Sequence, residues 1–129
     1  MAKKRISVKS AKQKARRLQN KIAESISNLL GVPWGKDELV APREMGQSGV
    51  DIRLIGKALV KFPYSVEAKN VERLNFWDAI KQAKTNQITG TDWLLIVKRN
   101  NEDPVVVMDY EAFFELQEKL SELWSDYDI

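Results

Sequence analysis

Residues 49–70, GVDIRLIGKALVKFPYSVEAKN, predict two short strands that carry charged side chains among apolar ones. Asp51 lies in the first strand, and Glu67 and Lys69 lie near the end of the second. Because side chains alternate between the two faces of a strand, Glu67 and Lys69 point to the same side, about 6.6 Å apart along the backbone. If Asp51 lies on a neighbouring strand and shares that face, the three charged groups converge.

Apolar spacing on both sides of this stretch predicts the remaining elements. A first helix is predicted to begin at Ser10 and to end before Gly31, with an apolar stripe made of Ala11, Ala15, Leu18, Ile22, Ile26 and Leu29. The continuous apolar run 93–97 predicts a central strand that is buried on both faces. The other predicted elements are strands at 38–42, 50–54, 64–69 and 104–108, a helical turn at 55–62, and helices at 74–84 and 110–124.

This order of elements predicts an α/β fold. A mixed central β-sheet is flanked by helices, and the N-terminal helix comes first. The chain has 129 residues, which is enough for one ordinary domain. We therefore expect a single domain over residues 10–129, preceded by a flexible basic arm at residues 1–9.

The composition excludes several kinds of catalytic site. The chain contains neither cysteine nor histidine. Cysteine nucleophiles, cysteine-ligated zinc, Ser-His-Asp triads and an imidazole general base are therefore impossible. Catalysis would have to use carboxylates, lysines, hydroxyls, amides or a hard metal ion. No apolar run reaches the roughly 20 residues that cross a bilayer, and the basic N-terminus lacks the apolar region of a secretory signal, so we expect a cytoplasmic protein.

Positive charge is concentrated at the N-terminus. Residues 1–21 carry nine Lys or Arg and no acid, whereas residues 22–129 carry 12 basic and 18 acidic residues. A basic arm on an acidic body favours a polyanionic partner, most often nucleic acid. The alternatives are a solubilising tail and an arm that binds the acidic surface of a protein.

The charged groups of residues 49–70 suit a hard divalent cation. Two carboxylates, a backbone carbonyl and waters are the oxygen ligands that Mg²⁺ prefers. Such a cation polarises a phosphoryl oxygen and lowers the pKa of bound water, while a lysine can orient or deprotonate that water. Phosphodiester hydrolysis needs these parts and no histidine. The alternative is that Glu-x-Lys, which also occurs by chance, lies on an ordinary solvated strand face.

The order Asp51, then Glu67-Ala68-Lys69, resembles the D…(D/E)xK signature of the PD-(D/E)XK nucleases. More narrowly, the stretches MGQSGVDI, FPYSVEAKN and LNFWDAIKQA are similar to small phage-encoded members related to Holliday junction resolvases. The resemblance runs from about residue 12 to residue 115. It implies a restriction-endonuclease-like core and a metal-dependent, structure-specific DNA endonuclease. This enzyme would resolve four-way junctions by paired phosphodiester hydrolysis, with Mg²⁺ as cofactor and Mn²⁺ as a possible substitute.

The resemblance also implies roles for individual residues. Asp51, Glu67 and the backbone carbonyl of Ala68 correspond to the metal ligands, and Lys69 corresponds to the catalytic lysine. Val50 stands where the family name has a proline, which is a loosely kept position.

Three further residues complete the catalytic set that the resemblance implies: Gln19, Ser48 and Gln82. Gln19 stands where resolvases tend to carry a metal-assisting glutamate on the first helix, and the missing charge argues against a second metal ion. At 100° per residue, Gln19 lies at the inward edge of the apolar stripe, whereas Glu24 lies on the opposite side. Ser48 comes just before the aspartate strand, and Gln82 follows the Glu-x-Lys strand. As alternatives, Gln19 and Gln82 are ordinary helix-surface amides, and Ser48 caps a turn.

A DNA partner and a homodimer follow from the same resemblance. The residues that we expect to contact nucleic acid are Lys12, Lys14, Arg16, Arg17, Lys21, Arg53 and Arg73. A four-way junction has two-fold symmetry, so a homodimer would supply two active sites, with the helix 110–124 as one candidate contact. Among the aromatic residues, Trp93 is expected in the core, and Trp77 in the core or in a dimer contact.

Two other functions remain compatible with the sequence. One is a nuclease of the same fold that acts on flaps, nicks or plain duplex DNA. The other is a non-catalytic nucleic-acid-binding module. The localisation expected from a phage origin is the host cytoplasm.

Overall fold

The computed structural model describes residues 7–44 and 46–124. The helices are α1 (Val8–Leu30), α2 (Lys57–Lys61), α3 (Phe76–Thr85) and α4 (Tyr110–Ser121), and a 3-10 turn follows at Glu122–Trp124. The strands are β1 (Val40–Pro42), β2 (Ile52–Leu54), β3 (Tyr64–Asn70), β4 (Asp92–Lys98) and β5 (Val105–Met108). The predicted α/β fold class, with the N-terminal helix first, is confirmed.

Helix α1 begins earlier than the sequence predicted. The side chain of Ser7 accepts a hydrogen bond from the backbone N–H of Ser10, so Ser7 and not Ser10 is the N-cap. Residues 8 and 9 are therefore helical and do not belong to the predicted arm, whose residues 1–6 lie outside the described part of the chain. The helix ends at Gly31, where φ is 69° and the N–H donates to the carbonyl of Ser27. Glycine adopts this left-handed conformation without steric cost.

The apolar stripe of α1 is buried only in part. Leu18, Ile22 and Ile26 are buried against the strands. The exposed members of the predicted stripe are Ala11, Ala15 and Leu29. The spacing of apolar residues indicates which side of a helix faces inward, but it does not indicate how far the core beneath that side extends.

The strands form two small sheets that are joined at Asp51. β1 and β2 are antiparallel, β3 and β4 are parallel, and β5 runs antiparallel to β4. The N–H of Asp51 donates to the carbonyl of Val66 at 2.9 Å, and its carboxylate accepts the N–H of Ala68 at 2.8 Å. The side chain thus takes the place that a backbone carbonyl of a longer β2 would occupy. The predicted single mixed sheet is therefore corrected to a two-stranded and a three-stranded part, which the hydrogen bonds of Asp51 connect.

Strand β4 separates two apolar clusters. Leu94 packs with Val66 in the cluster under α1, whereas Leu95 and Val97 pack with Ala79 in the cluster under α3. The prediction that residues 93–97 form a central strand buried on both faces is confirmed. Because paired residues of neighbouring strands share a face, the register of Glu67 with Leu95 places Glu67 on the α3 side.

Helix α4 leaves most of its apolar surface exposed. Ala112 is buried, whereas the side chains of Phe113, Phe114 and Leu120 are 42%, 53% and 43% exposed. Within residues 7–44 and 46–124, no helix has both the length and the apolar character that crossing a membrane requires.

Candidate active site

Asp51 is a buried carboxylate that is held on three sides. Its side chain lies between β2 and β3 and is 3% exposed. One carboxylate oxygen, Oδ2, accepts the N–H of Ala68 at 2.8 Å, and the other, Oδ1, lies 3.0 Å from Nη2 of Arg43. The backbone N–H of Arg43 also donates to the Asp51 carbonyl at 2.7 Å. These contacts satisfy the buried charge and fix the orientation of the carboxylate.

Glu67 lies against Asp51 and has an unusual pKa. Its side chain is 3% exposed and is in hydrogen-bonding contact with the Asp51 carboxylate. Burial, and next the negative charge of Asp51, raise the pKa of Glu67 to about 7. The side-chain N–H of Asn86, 3.3 Å from Oε2 of Glu67, and the charge of Lys69 act in the opposite direction. Arg43 thus compensates the charge of Asp51, whereas Glu67 forms no ion pair within the described residues.

Lys69 lies on the same face of β3 as Glu67, two residues further along the strand. It is half-buried, and its ammonium group is near enough to stabilise the ionised form of Glu67. The structure therefore places Glu67 next to both Asp51 and Lys69. The three residues that the sequence singled out come from one loop–strand junction and one strand end.

The residues of this site fit a divalent cation. The N–H and carbonyl groups of one strand residue point to the same edge of the strand, so the carbonyl of Ala68 lies on the edge that faces Asp51. Two carboxylates and this carbonyl are three hard oxygen donors. Within residues 7–44 and 46–124, no three acidic side chains cluster, so water or a substrate would have to supply the other ligands. Burial is the larger cause of the raised pKa of Glu67, and a bound cation would offset the second cause, the negative charge of Asp51.

A cavity of about 830 Å³ opens beside this site. We call it the site cavity, and its wall includes Arg16, Trp34, Arg43, Ser48, Arg53 and Asn86. Ser48 is exposed on this wall, near the loop that leads to Asp51. The two residues that touch the carboxylates, Arg43 and Asn86, connect the cavity to the acidic pair.

The two predicted glutamines occupy different positions. Gln19 is half-buried and lines a smaller cavity that shares Arg16 and Arg43 with the site cavity, whereas Glu24 is exposed. Gln82 is exposed on α3, and its backbone carbonyl accepts the N–H of Asn86 at 3.0 Å. The amide that reaches Glu67 therefore belongs to Asn86, one helical turn beyond Gln82. The sequence carries no sign of this role, because Asn86 stands at the C-terminal cap of α3, where an asparagine has an ordinary structural explanation.

Two of the predicted cationic residues are fixed near the site cavity. The guanidinium of Arg16 donates to the carbonyl of Arg43 at 3.4 Å. The guanidinium of Arg53 donates to the carbonyls of Lys36 and Glu38 at 2.7 and 2.9 Å. Backbone oxygens hold both side chains in place without neutralising their charge.

The other predicted cations are more dispersed. Lys12 and Arg17 line a groove along the first turns of α1. Lys14 is half-buried, and Arg73 is exposed in the loop between β3 and α3. Lys21 lies at the edge of an apolar groove, away from the acidic pair.

The aromatic residues divide between core and surface. Trp93 is buried beside Leu95, as predicted. Trp77 is 80% exposed, so the core position considered for it is wrong, and the dimer contact stays a prediction. Trp34 and Arg43 were not singled out by the sequence. A lone tryptophan in a loop and a lone arginine after a proline carry no pattern that marks them.

Comparisons with models of protein families, with curated proteins and with solved structures found no match. The chemistry of the site is therefore inferred from the residues themselves, and the resemblance to PD-(D/E)XK nucleases stays an expectation.

Proposed function

We propose that this protein is a Mg²⁺-dependent, structure-specific DNA endonuclease that resolves Holliday junctions. The observation that carries the proposal is that the buried carboxylates of Asp51 and Glu67 meet at β3, with Lys69 on the same face of that strand as Glu67. Two neighbouring buried carboxylates are costly, and Arg43 compensates the charge of Asp51 alone, so a bound cation would compensate the second charge. Pairing the two carboxylates with a lysine at one strand end is a combination that phosphodiester hydrolysis uses.

Each residue has a definite task in this reaction. Asp51, Glu67 and the carbonyl of Ala68 would hold the cation, with Asn86 and Arg43 orienting the two carboxylates. When bound, Mg²⁺ supplies polarisation of a phosphoryl oxygen and a lower pKa for water. Lys69 would orient a water molecule towards phosphorus or stabilise the negative charge that develops there. The water oxygen forms a bond to phosphorus and releases a proton to the solvent, the bond between phosphorus and the leaving sugar oxygen breaks, and that oxygen takes up a proton from the solvent.

A branched DNA substrate is supported by charge and symmetry. Arg16 and Arg53 are fixed beside the site, and further cations lie along the first turns of α1. Cutting two opposed strands of a junction requires two sites, which a homodimer would provide, and the exposed apolar surface of α4 is a candidate contact. We place this activity in the cytoplasm, that of the host if the protein is phage-encoded.

Incubation with four labelled DNA substrates tests the proposal. Synthetic four-way junction, flap, duplex and single-stranded DNA are incubated with Mg²⁺, with Mn²⁺ or with EDTA. We expect paired symmetrical nicks in the junction with either metal and none with EDTA. Cleavage of flap or duplex alone would identify a nuclease of another specificity. Binding without any cleavage would identify a non-catalytic module.

Substitutions test the assignment of the residues. Asp51→Asn and Lys69→Ala should abolish cleavage and leave junction binding intact, because each removes a group that acts on the reaction and not on the DNA backbone as a whole. The matched control is Lys119→Ala, which removes an exposed lysine of α4. If either site variant cuts at the wild-type rate in Mg²⁺, the site has been assigned wrongly.

A further inference from the structure

The wall of the site cavity carries one indole among several cationic side chains. Trp34 is 36% exposed and lines the cavity together with Arg16, Lys36 and Arg53. We infer that the site cavity binds one unstacked nucleotide, with its base on Trp34 and its flanking phosphates on the cations. This nucleotide belongs to the strand that is cut, a point that rests on the proposed function.

Trp34 is held in place by the backbone around it. It forms an isolated bridge with Val40, which is fully buried in the core under α1. The N–H of the next residue, Gly35, donates to the carbonyl of Val40 at 2.9 Å. The backbone at Trp34 is thus fixed, and the indole stays partly exposed, although a tryptophan of this size would gain more by burial. Because a tryptophan side chain has only two rotatable bonds, a base can stack on it at low entropic cost.

The cations of the cavity are fixed and keep their charge. Arg53 is held by the carbonyls of Lys36 and Glu38, and Arg16 is held by the carbonyl of Arg43. Neither Arg16 nor Arg53 forms an ion pair with a carboxylate in the described part of the chain. A guanidinium has five N–H donors, so both keep donors for a phosphate. The acidic Glu44 also lines the cavity, but the cationic side chains outnumber it.

Two residues of the cavity wall also contact the carboxylates of the candidate active site. Asn86 lies on the cavity wall and contacts Glu67, and Arg43 lies on the same wall and contacts Asp51. The two carboxylates do not line the cavity themselves, so a nucleotide in the cavity is linked to them through the side chains of Arg43 and Asn86. The volume of about 830 Å³ is within the range of 300–1,000 Å³ that small-ligand sites occupy, which is enough for one nucleotide.

Stacking on an indole inside a cavity requires a nucleic acid with unpaired bases. A base within a duplex is stacked on both faces and cannot reach an indole inside a cavity. Unpaired or easily unstacked nucleotides can reach it, as at a branch point, a gap or a single-stranded end. Stacking of this kind tolerates every base, because each base has a π-face. Trp34 would thus contribute selectivity for branched or single-stranded DNA without sequence preference.

Binding measurements on the full chain in EDTA test this inference without cleavage. A fluorescently labelled 12-mer of thymidine and a duplex with a four-nucleotide gap are titrated by anisotropy, with an intact duplex as comparison. Trp34→Ala should weaken binding of the first two by roughly 5- to 150-fold, the loss that one stacked base produces. Trp34→Phe, which keeps an aromatic face, should restore most of the affinity. Binding of the intact duplex should change less than twofold.

Matched variants distinguish the loss of base stacking on Trp34 from a general loss of DNA binding or of folding. Val60→Ala removes an exposed apolar side chain of α2 that does not line the cavity and should leave all affinities unchanged. Lys36→Gln should reduce the slope of log K against log salt for the 12-mer by about 0.7, as for one phosphate contact. If Trp34→Ala does not fold, judged by circular dichroism, Trp34→Leu takes its place, because leucine fills the same position without a π-face.

The outcomes distinguish the inference from the proposed function. Equal loss for single-stranded and duplex DNA, or equal loss with phenylalanine and alanine at position 34, would overturn the nucleotide site. Unchanged affinity in Trp34→Ala would also overturn it, even if the wild-type protein cuts junctions. Selective loss of the 12-mer, together with no cleavage of any DNA in Mg²⁺, would support the nucleotide site and reject the nuclease.

Discussion

The acidic pair makes a specific prediction about how stability depends on pH. In the unfolded chain the carboxyl of Glu67 has its ordinary pKa of 4.5, whereas in the folded, metal-free protein burial and the charge of Asp51 raise that pKa to about 7. A pKa that is higher in the folded state means that the folded protein binds the proton more tightly. The stabilisation is therefore fully present below pH 4.5 and is lost as the pH rises through 7.

The size of this effect on stability follows from the difference between the pKa of Glu67 in the folded and in the unfolded chain. One pKa unit corresponds to 1.36 kcal/mol, so a rise from 4.5 to about 7 corresponds to about 3 kcal/mol. Glu67→Gln removes the titration, keeps the size of the side chain, and keeps a group that can accept the N–H of Asn86. Relative to the wild type, this variant should be equally stable near pH 4 and about 3 kcal/mol more stable at pH 8.

Urea unfolding between pH 4 and pH 8 in EDTA measures this difference. Glu118→Gln, at an exposed position of α4, is the matched control and should follow the wild type at every pH. Asp51→Asn should weaken the pH dependence without removing it, because burial is the larger cause of the shift. Addition of Mg²⁺ at pH 8 should stabilise the wild type and not Glu67→Gln. A constant difference in free energy between wild type and Glu67→Gln across this range would refute the reasoning.

Two further predictions concern the core and the DNA. Leu95→Ala removes a fully buried side chain from β4 and should lower the free energy of unfolding by about 2–5 kcal/mol, whereas Val60→Ala, at a 79% exposed position, should change it by less than about 0.5 kcal/mol. Equal effects of the two in urea unfolding would contradict the assignment of the core. If about six phosphates are neutralised, log K for junction binding should fall with log salt at a slope near −5. A slope near zero, measured by anisotropy from 50 to 300 mM salt (roughly the range over which counterion release is resolved), would exclude binding through the basic residues.

Much of the secondary structure could be predicted from the order of residues. The continuous run 93–97 predicted β4, and the exchange of apolar and charged residues in 64–69 predicted β3 within one residue of its end. The start of α1 was predicted two residues late, because Ser7 and Ser10 are both good N-caps and only the backbone geometry selects between them. The division of the sheet was not predicted, since pairing between strands depends on contacts of residues that are distant in the sequence.

The amino-acid sequence by itself determined which chemistry is possible. Because the chain has neither histidine nor cysteine, its reactive groups are carboxylates, amides, hydroxyls and lysines. Strand alternation also puts Glu67 and Lys69 on one face of their strand. Only the tertiary structure decided which groups surround them. Arg43, Asn86 and Trp34 reach the site from a strand end, a helix cap and a loop. Which side chains of different elements become neighbours depends on how the helices and strands pack. The spacing of residues within one element does not give this packing.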